Sequence, residues 1–311
     1  MAGGAAMNYA PRAFFDRFSF ADLTVLLVAV IWGASYTATK VALGSSGVLE
    51  FLAIRFAVTF LGMLPFFWRE LVGRSADYLY VGLLLGTVLF ASFMFETYGV
   101  KNTSASNAAF LISLCVLFTP MLDSLFMRSK LDWPVIGVAL LCVAGAAVIS
   151  GGGGTGVSPG DLLVIVAALC RGVMVTATKK LTLGKTLSSG ALTAVQMFTV
   201  AVLATVAIFL QPGDAKIDLS LNWQFVAAIV FLTVLATGFA FYVQTHMVRE
   251  TSPVRVAFLM GTEPVFGVAC AVAFLGETLS WPTVVGGSII VISMFAGIQL
   301  ESRKERISLP N

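Results

Sequence analysis

The sequence predicts an all-α polytopic membrane protein: ten transmembrane helices in two inverted repeats of five, with both termini cytoplasmic. Three observations carry that prediction. Of 311 residues, 58% are apolar and 11% charged, less than half of the ~25% charge found in soluble domains. The apolar residues fall in runs of about 20, the helix length that crosses a hydrocarbon core. The first half of the chain is also legible again in the second. The same figures exclude other classes. A net charge of +3 with scattered basic residues is no nucleic-acid footprint, and so few polar residues do not make a disordered chain.

In chain order, residues 1–20 lack the apolar core of a secretory signal peptide. Pro11–Phe18 mixes Arg12 and Arg17 with Phe, as a short interfacial helix does. Windows of about 19 residues place spans near 21–42, 49–68, 78–98, 103–126 and 132–150, then 160–180, 188–210, 222–245, 252–275 and 281–300. Runs of this length mean helices, since barrel strands alternate over about ten residues. Short connections leave no room for an inserted soluble domain. Residues 1–150 form the first five-helix repeat, and 151–311 the second with its short basic tail. Gly151–Gly156 joins them.

Basic residues set the orientation. Fourteen of the nineteen lie on one side: Arg12, Arg17, Arg69, Arg74, Arg128, Lys130, Lys179, Lys180, Lys185, Arg249, Arg255, Arg303, Lys304 and Arg306. Lys40, Lys101 and Lys216 lie on the other, and Arg55 and Arg171 fall inside spans. The positive-inside rule makes the crowded side cytoplasmic.

The repeat is explicit. Gly33-Ala-Ser-Tyr-Thr-Ala-Thr-Lys40 returns as Gly172-Val-Met-Val-Thr-Ala-Thr-Lys179, 139 residues on, with five identities in eight. Residues 103–134 return at 251–282, offset 148, with ten identities in 32 and a shared closing Leu-x-Trp-Pro. Five spans per copy force opposite orientations, and inverted repeats are a signature of secondary transporters with the substrate near the midplane.

Trp32-Gly33-x-Ser35-Tyr36, Arg55 within Phe51–Phe56, Ser104–Leu111, Glu263-Pro264-Val-Phe266 and Gly276-Glu277 stand out beside the repeat. With them the chain shows a resemblance to the drug/metabolite transporter superfamily, specifically its ten-helix EamA-type carriers, and most of all to the YddG-type amino-acid exporters. It implies two inverted bundles around a central cavity, spans five and ten at the periphery, and export of small metabolites, amino acids among them. Small multidrug exporters of that superfamily carry an essential Glu that span one here lacks, which speaks against proton-coupled drug antiport by that route.

A charge at mid-bilayer costs about 2.5–3.5 kcal/mol on insertion scales and needs a partner or a wet cavity. Arg55 suits a substrate carboxylate, or a structural pair. Arg171 occupies the place of Trp32 in the second copy and would bind a carboxylate or carbonyl. Glu263, beside Pro264, would receive an amino group or titrate, or stay a neutral structural acid. Glu96 and Asp123 read as interfacial partners of Lys101 and Arg128. Trp32, Ser35, Tyr36 and Thr39 form one helical stripe, and Tyr98, Asn107, Gln196, Tyr242 and Gln244 add hydrogen-bonding groups that would line a cavity or simply pack. Pro120 and Pro264 are candidate hinges. Gly82-x-x-x-Gly86 is a packing motif, and His246 an interfacial donor or a proton relay.

No catalytic cluster, cofactor motif or metal-ligand spacing is present; Gly151–Gly156 follows a span rather than a strand, so its G-x-G-x-x-G pattern does not mark a dinucleotide site. The four cysteines sit in apolar runs without a C-x-x-C pair. The reading is therefore a multi-pass carrier of the cytoplasmic membrane with lipid and a small molecule as partners, exporting amphipathic metabolites such as aromatic amino acids, methionine or threonine-like ones by alternating access. Protons as coupling ion stay open. A proton-coupled exporter of drugs or nucleotide-linked metabolites is the alternative, and an intramembrane enzyme the remote one.

Overall fold

A computed structural model describes residues 20–73, 75–103, 105–149, 158–210, 222–275 and 281–308. Pro11–Phe18, the Gly151–Gly156 linker, Gly276-Glu277 and the side chain of Asn107 lie outside the described residues.

Spans one to three are the helices α1 (Phe20–Leu43), α2 (Val48–Gly73) and α3 (Ser75–Asn102). Span four is two helices, α4 (Ala105–Ile112) and α5 (Cys115–Met127), and span five is α6 (Trp133–Ile149). Spans six and seven are α7 (Pro159–Thr182) and α8 (Ser189–Leu210). Span eight runs as α9 (Trp223–Phe231), a π-helical segment Leu232–Phe239 and α10 (Ala240–Glu250). Span nine is again two helices, α11 (Pro253–Met260) and α12 (Glu263–Leu275), and span ten is α13 (Trp281–Ser308). Eight of the described spans are long and apolar enough to cross a membrane, and Trp133–Val148 is a shorter apolar helix. Large side chains such as Phe66, Leu125 and Ile292 stand exposed on the outside, where lipid rather than water meets them.

Local chemistry explains the helix starts. Ser158 and Asp161 form a reciprocal capping box ahead of Pro159, and Ser252 caps α11 ahead of Pro253. Asn222 accepts from the Phe225 amide at the start of α9.

The packing obeys a two-fold relation between halves. Span two packs on span seven and span five on span ten; the span three–six contact is repeated as eight–one, and four–six as nine–one. Close approach fixes these crossings. A Cβ at Gly33 would lie 2.7 Å from the Gly267 amide nitrogen and 2.8 Å from the Glu263 carbonyl, so α1 touches α12 backbone to backbone. Its counterpart Gly172 faces Leu122 and Phe118 of α5. Gly82 and Gly86 do work as a packing motif, seating Val195 and Thr199 of α8 against α3.

The two broken spans break at one register. Leu114 N–H donates to Leu111 and Leu117 N–H to Leu114; 148 residues on, Thr262 donates to Leu259 and Val265 to Thr262. These three-residue steps replace the α-helical ladder, and the Ser113 and Thr262 hydroxyls take the Phe110 and Leu259 carbonyls (both 2.6 Å). Pro264 is the second residue of α12, directly after its break, whereas Pro120 lies inside α5, whose helix continues through it. Position 116, which matches Pro264, is Val. The discontinuity thus occurs in one copy without a proline at the break.

Each face is tied by matching contacts. On the face holding the beginning of α1 and the end of α13, Lys179 donates to the carbonyls of Arg249 (2.7 Å) and Thr251 (2.9 Å). There Arg255 also grips both oxygens of Asp22 (2.8 and 2.7 Å) and donates to the Ser302 hydroxyl (2.8 Å). On the opposite face Lys40 donates to the Thr103 carbonyl (2.7 Å), and the Thr103 hydroxyl donates to Asp161 (2.6 Å). Lys40 and Lys179, and Asp22 and Asp161, are each 139 residues apart; Thr103 and Thr251 are 148 apart.

Candidate substrate site between the repeats

Two features built into the helices set the centre of the bundle. The break in span nine puts the N-terminus of α12 inside the membrane, and its first residue is Glu263. A carboxylate is favoured there by the free amides and the helix dipole. The π-helical segment widens span eight and turns its polar groups toward spans one and two, as π-bulges at functional sites do. Trp32 Nε1 donates to the Ala236 carbonyl (2.8 Å), Arg55 Nε to the Thr237 hydroxyl (2.6 Å), and Thr237 in turn to the Leu232 carbonyl (2.7 Å).

Glu263 is the hub of the buried polar cluster. Arg171 reaches it with two nitrogens (3.3 Å to Oε2, 3.1 Å to Oε1), and the Tyr36 hydroxyl donates to Oε2 (3.2 Å). The Arg171 guanidinium also lies 4.1 Å from the centre of the Trp32 ring. Trp32 and Arg171 are the same position in the two repeats, so a cation–π contact joins the halves at the axis that relates them. Arg55 sits among Phe93, Phe56 and Phe51, at 5.0, 5.7 and 5.8 Å from the ring centres. Beyond the Nε bond, its terminal nitrogens make no hydrogen bond among the described residues.

A narrow cavity lies between these groups, lined by Trp32, Ser35, Tyr36, Arg55, Leu89, Ser92, Phe93, Glu96, Arg171, Met174, Phe241 and Gln244. Its open space is about 20 Å³, room for about one ordered water. Phe241 stacks at a tilt on Trp32 (5.1 Å) and on Phe93 (5.6 Å), giving the cavity an aromatic wall.

The structure brings together six of the residues expected from the sequence to line a cavity, Trp32, Ser35, Tyr36, Arg55, Arg171 and Gln244, with Glu263 behind them. Others lie elsewhere. Thr39 is buried on α1 but away from the lining, and Tyr98 packs into the larger apolar core. Tyr242 is exposed and stacks on His246 and Phe67. Gln196 is fully buried, and its side-chain amide has no partner among the described residues. Asn107 has no described side chain.

Glu96 corrects the interfacial reading: it faces the cavity and interacts electrostatically with Arg171 and Arg55. Leu89, Ser92, Phe93, Met174 and Phe241 escaped sequence reasoning because nothing distinguishes them from packing residues. Ser92, Phe93 and Glu96, within one helical turn on α3, were the available signal. Among the described residues no group of His, Cys, Asp and Glu could hold a metal ion.

The profile of the EamA-like transporter family matches residues 19–151 and again 158–297. An uncharacterized transporter of Archaeoglobus fulgidus is 27% identical over 277 residues, 88% of this chain and 84% of its own. A protein of Streptantibioticus cattleyicolor, described as "Probable terminal-alkyne amino-acid exporter", is 25% identical over 293 residues, covering 93% and 95%. A protein known from its crystal structure superposes with a TM-score of 0.74 at 19% identity, over 92% of this chain and 98% of that one. That last likeness is one of fold.

Proposed function

The chain belongs to the EamA-like transporter family, and from that premise we propose that it is a secondary carrier exporting amino acids with apolar or aromatic side chains across the cytoplasmic membrane. It is a multi-pass membrane transporter rather than an enzyme, and the amino-acid cargo is the reading that its centre supports best. One observation carries it. The cavity pairs a guanidinium, Arg55, with walls of Trp32, Phe93, Phe241 and Met174. A guanidinium with free terminal nitrogens binds a carboxylate in a two-point fork, and the walls suit an apolar side chain.

Charge balance supports the same reading over the alternative. Arg55, Arg171, Glu96 and Glu263 are two formal cations and two formal anions around one centre, so the site is neutral as a whole. A zwitterion leaves that balance intact, whereas an anionic nucleotide-linked metabolite or a cationic drug adds an uncompensated charge at mid-membrane. The matching latches on the two faces support alternating access, with one opening while the other holds.

The test is flux in proteoliposomes loaded with labelled phenylalanine, methionine and threonine, with a cationic drug and a nucleotide sugar alongside. Saturable flux of the amino acids is expected, weakest for threonine, together with loss of that flux in Arg55→Gln. Absence of amino-acid flux from folded protein, or saturable flux of the drug alone under an imposed pH gradient, would overturn the reading. Arg55→Lys keeps the charge but not the fork, and a fall of about tenfold or more in apparent affinity is expected.

A further inference from the structure

Among the described residues, Glu96 is the carboxylate that lines this cavity. Glu263 is engaged by Arg171 and Tyr36. Glu96 lines the cavity with Arg55 and Arg171 and feels both charges, but it forms no ion pair or hydrogen bond with either among the described residues. The centre thus holds one closed ion pair and two further charges of opposite sign, Arg55 and Glu96, which do not touch. Building on the amino-acid reading, we propose that Glu96 binds the substrate ammonium group and sets specificity for a free α-amino group. Arg55 takes the carboxylate, and Phe93 and Phe241 flank the side chain. A substrate with both charges satisfies both residues; one lacking the ammonium leaves Glu96 uncompensated, and a site built for a polar group rejects analogues without it.

The experiment is competition against labelled phenylalanine uptake in proteoliposomes by unlabelled phenylalanine, 3-phenyllactate and 2-phenylethylamine. Wild type is expected to prefer phenylalanine over phenyllactate by about tenfold or more. In Glu96→Gln that preference should narrow to about twofold, because phenyllactate no longer leaves a buried charge unpaired. Glu96→Asp, which withdraws the carboxylate by one methylene, should give an intermediate ratio, and supplies the reading if the Gln variant does not fold. A wild-type ratio retained in these variants overturns the role of Glu96. A wild-type protein that carries no phenylalanine at all strikes the amino-acid reading instead.

The two faces carry a second inference, independent of the cavity. Lys40 with Thr103 and Lys179 with Thr251 are one contact made twice, on opposite faces, by residues the repeat equates. Asp161 and Asp22 stand at equivalent places beside them. We infer that these are the two gates, one on each face. On the face of the termini Asp22 is further held in a buried two-point ion pair by Arg255.

Cysteine accessibility tests it, with Ser92→Cys as cavity reporter in a background without the four native cysteines, and a membrane-impermeant maleimide applied from each side. Arg255→Gln should raise labelling from the face of the termini by about fivefold and lower it from the other, and Lys40→Met should do the reverse. The exchange Asp22→Arg with Arg255→Asp should return labelling to the starting level. Unchanged labelling in Arg255→Gln, or in Asp22→Asn should the former not fold, overturns the assignment.

Discussion

The Arg171–Glu263 pair joins a side chain from span six to one from the break in span nine, with the glutamate 2% exposed. Burying such a pair is costly, but leaving one member alone is worse. Arg171→Met is therefore expected to destabilise the protein by about 3–5 kcal/mol, read as a fall in melting temperature in detergent. The double change Arg171→Met with Glu263→Leu should recover much of that loss without recovering flux. A double variant as unstable as the single would mean that packing against Trp32, rather than charge, holds Arg171. At this scale the sequence was informative where a residue type is rare: two arginines and one glutamate inside spans announced themselves. It was silent where the type is common. Phe241 and Met174 line the cavity, yet each is one apolar residue among many, and only the packing of neighbouring helices decides which faces inward. Glu96 was visible but misplaced, because closeness to a helix end suggests an interfacial role and says nothing about which face is turned to the centre.

Among the elements, helices lie where the apolar runs placed the ten spans, and eight of the described ones are long and apolar enough to cross a membrane, since run length and hydropathy are local properties. The interruptions within spans were less legible. Pro120 and Pro264 were the natural markers, but span four breaks at Ser113-Leu114, ahead of its proline, and the π-helical segment of span eight has no proline at all. Hydroxyls bonding back to the preceding turn and the demands of neighbouring helices shape these sites. The tightest crossing gives a sharp prediction. Gly33→Ala places a methyl against the backbone of α12 and should cost about 1–3 kcal/mol. Gly62→Ala, on the lipid-facing side of α2 with nothing within 4 Å, should be neutral or stabilising by up to about 1 kcal/mol. Melting temperatures of the two variants in the same detergent check the contrast, and equal shifts would contradict the crossing.

For the whole molecule, the repeat read from the sequence has its physical counterpart in the pairing of spans, including the twin breaks and the twin lysine contacts. An even number of spans returns both ends to one face, and the excess of basic residues there makes it the cytoplasmic one. Green fluorescent protein fused to the C-terminus is accordingly expected to fluoresce, and alkaline phosphatase fused there to stay inactive; the opposite result would invert the orientation. Span number, helical class and internal duplication were determined by the sequence alone, because each follows from composition and periodicity along one chain. The tertiary structure decided what meets at the centre: Trp32 on Arg171, Glu263 with Tyr36, and Glu96 in the cavity lining. The first two contacts join residues up to 227 positions apart, and all of this geometry depends on how helices rotate and cross, which no local pattern specifies.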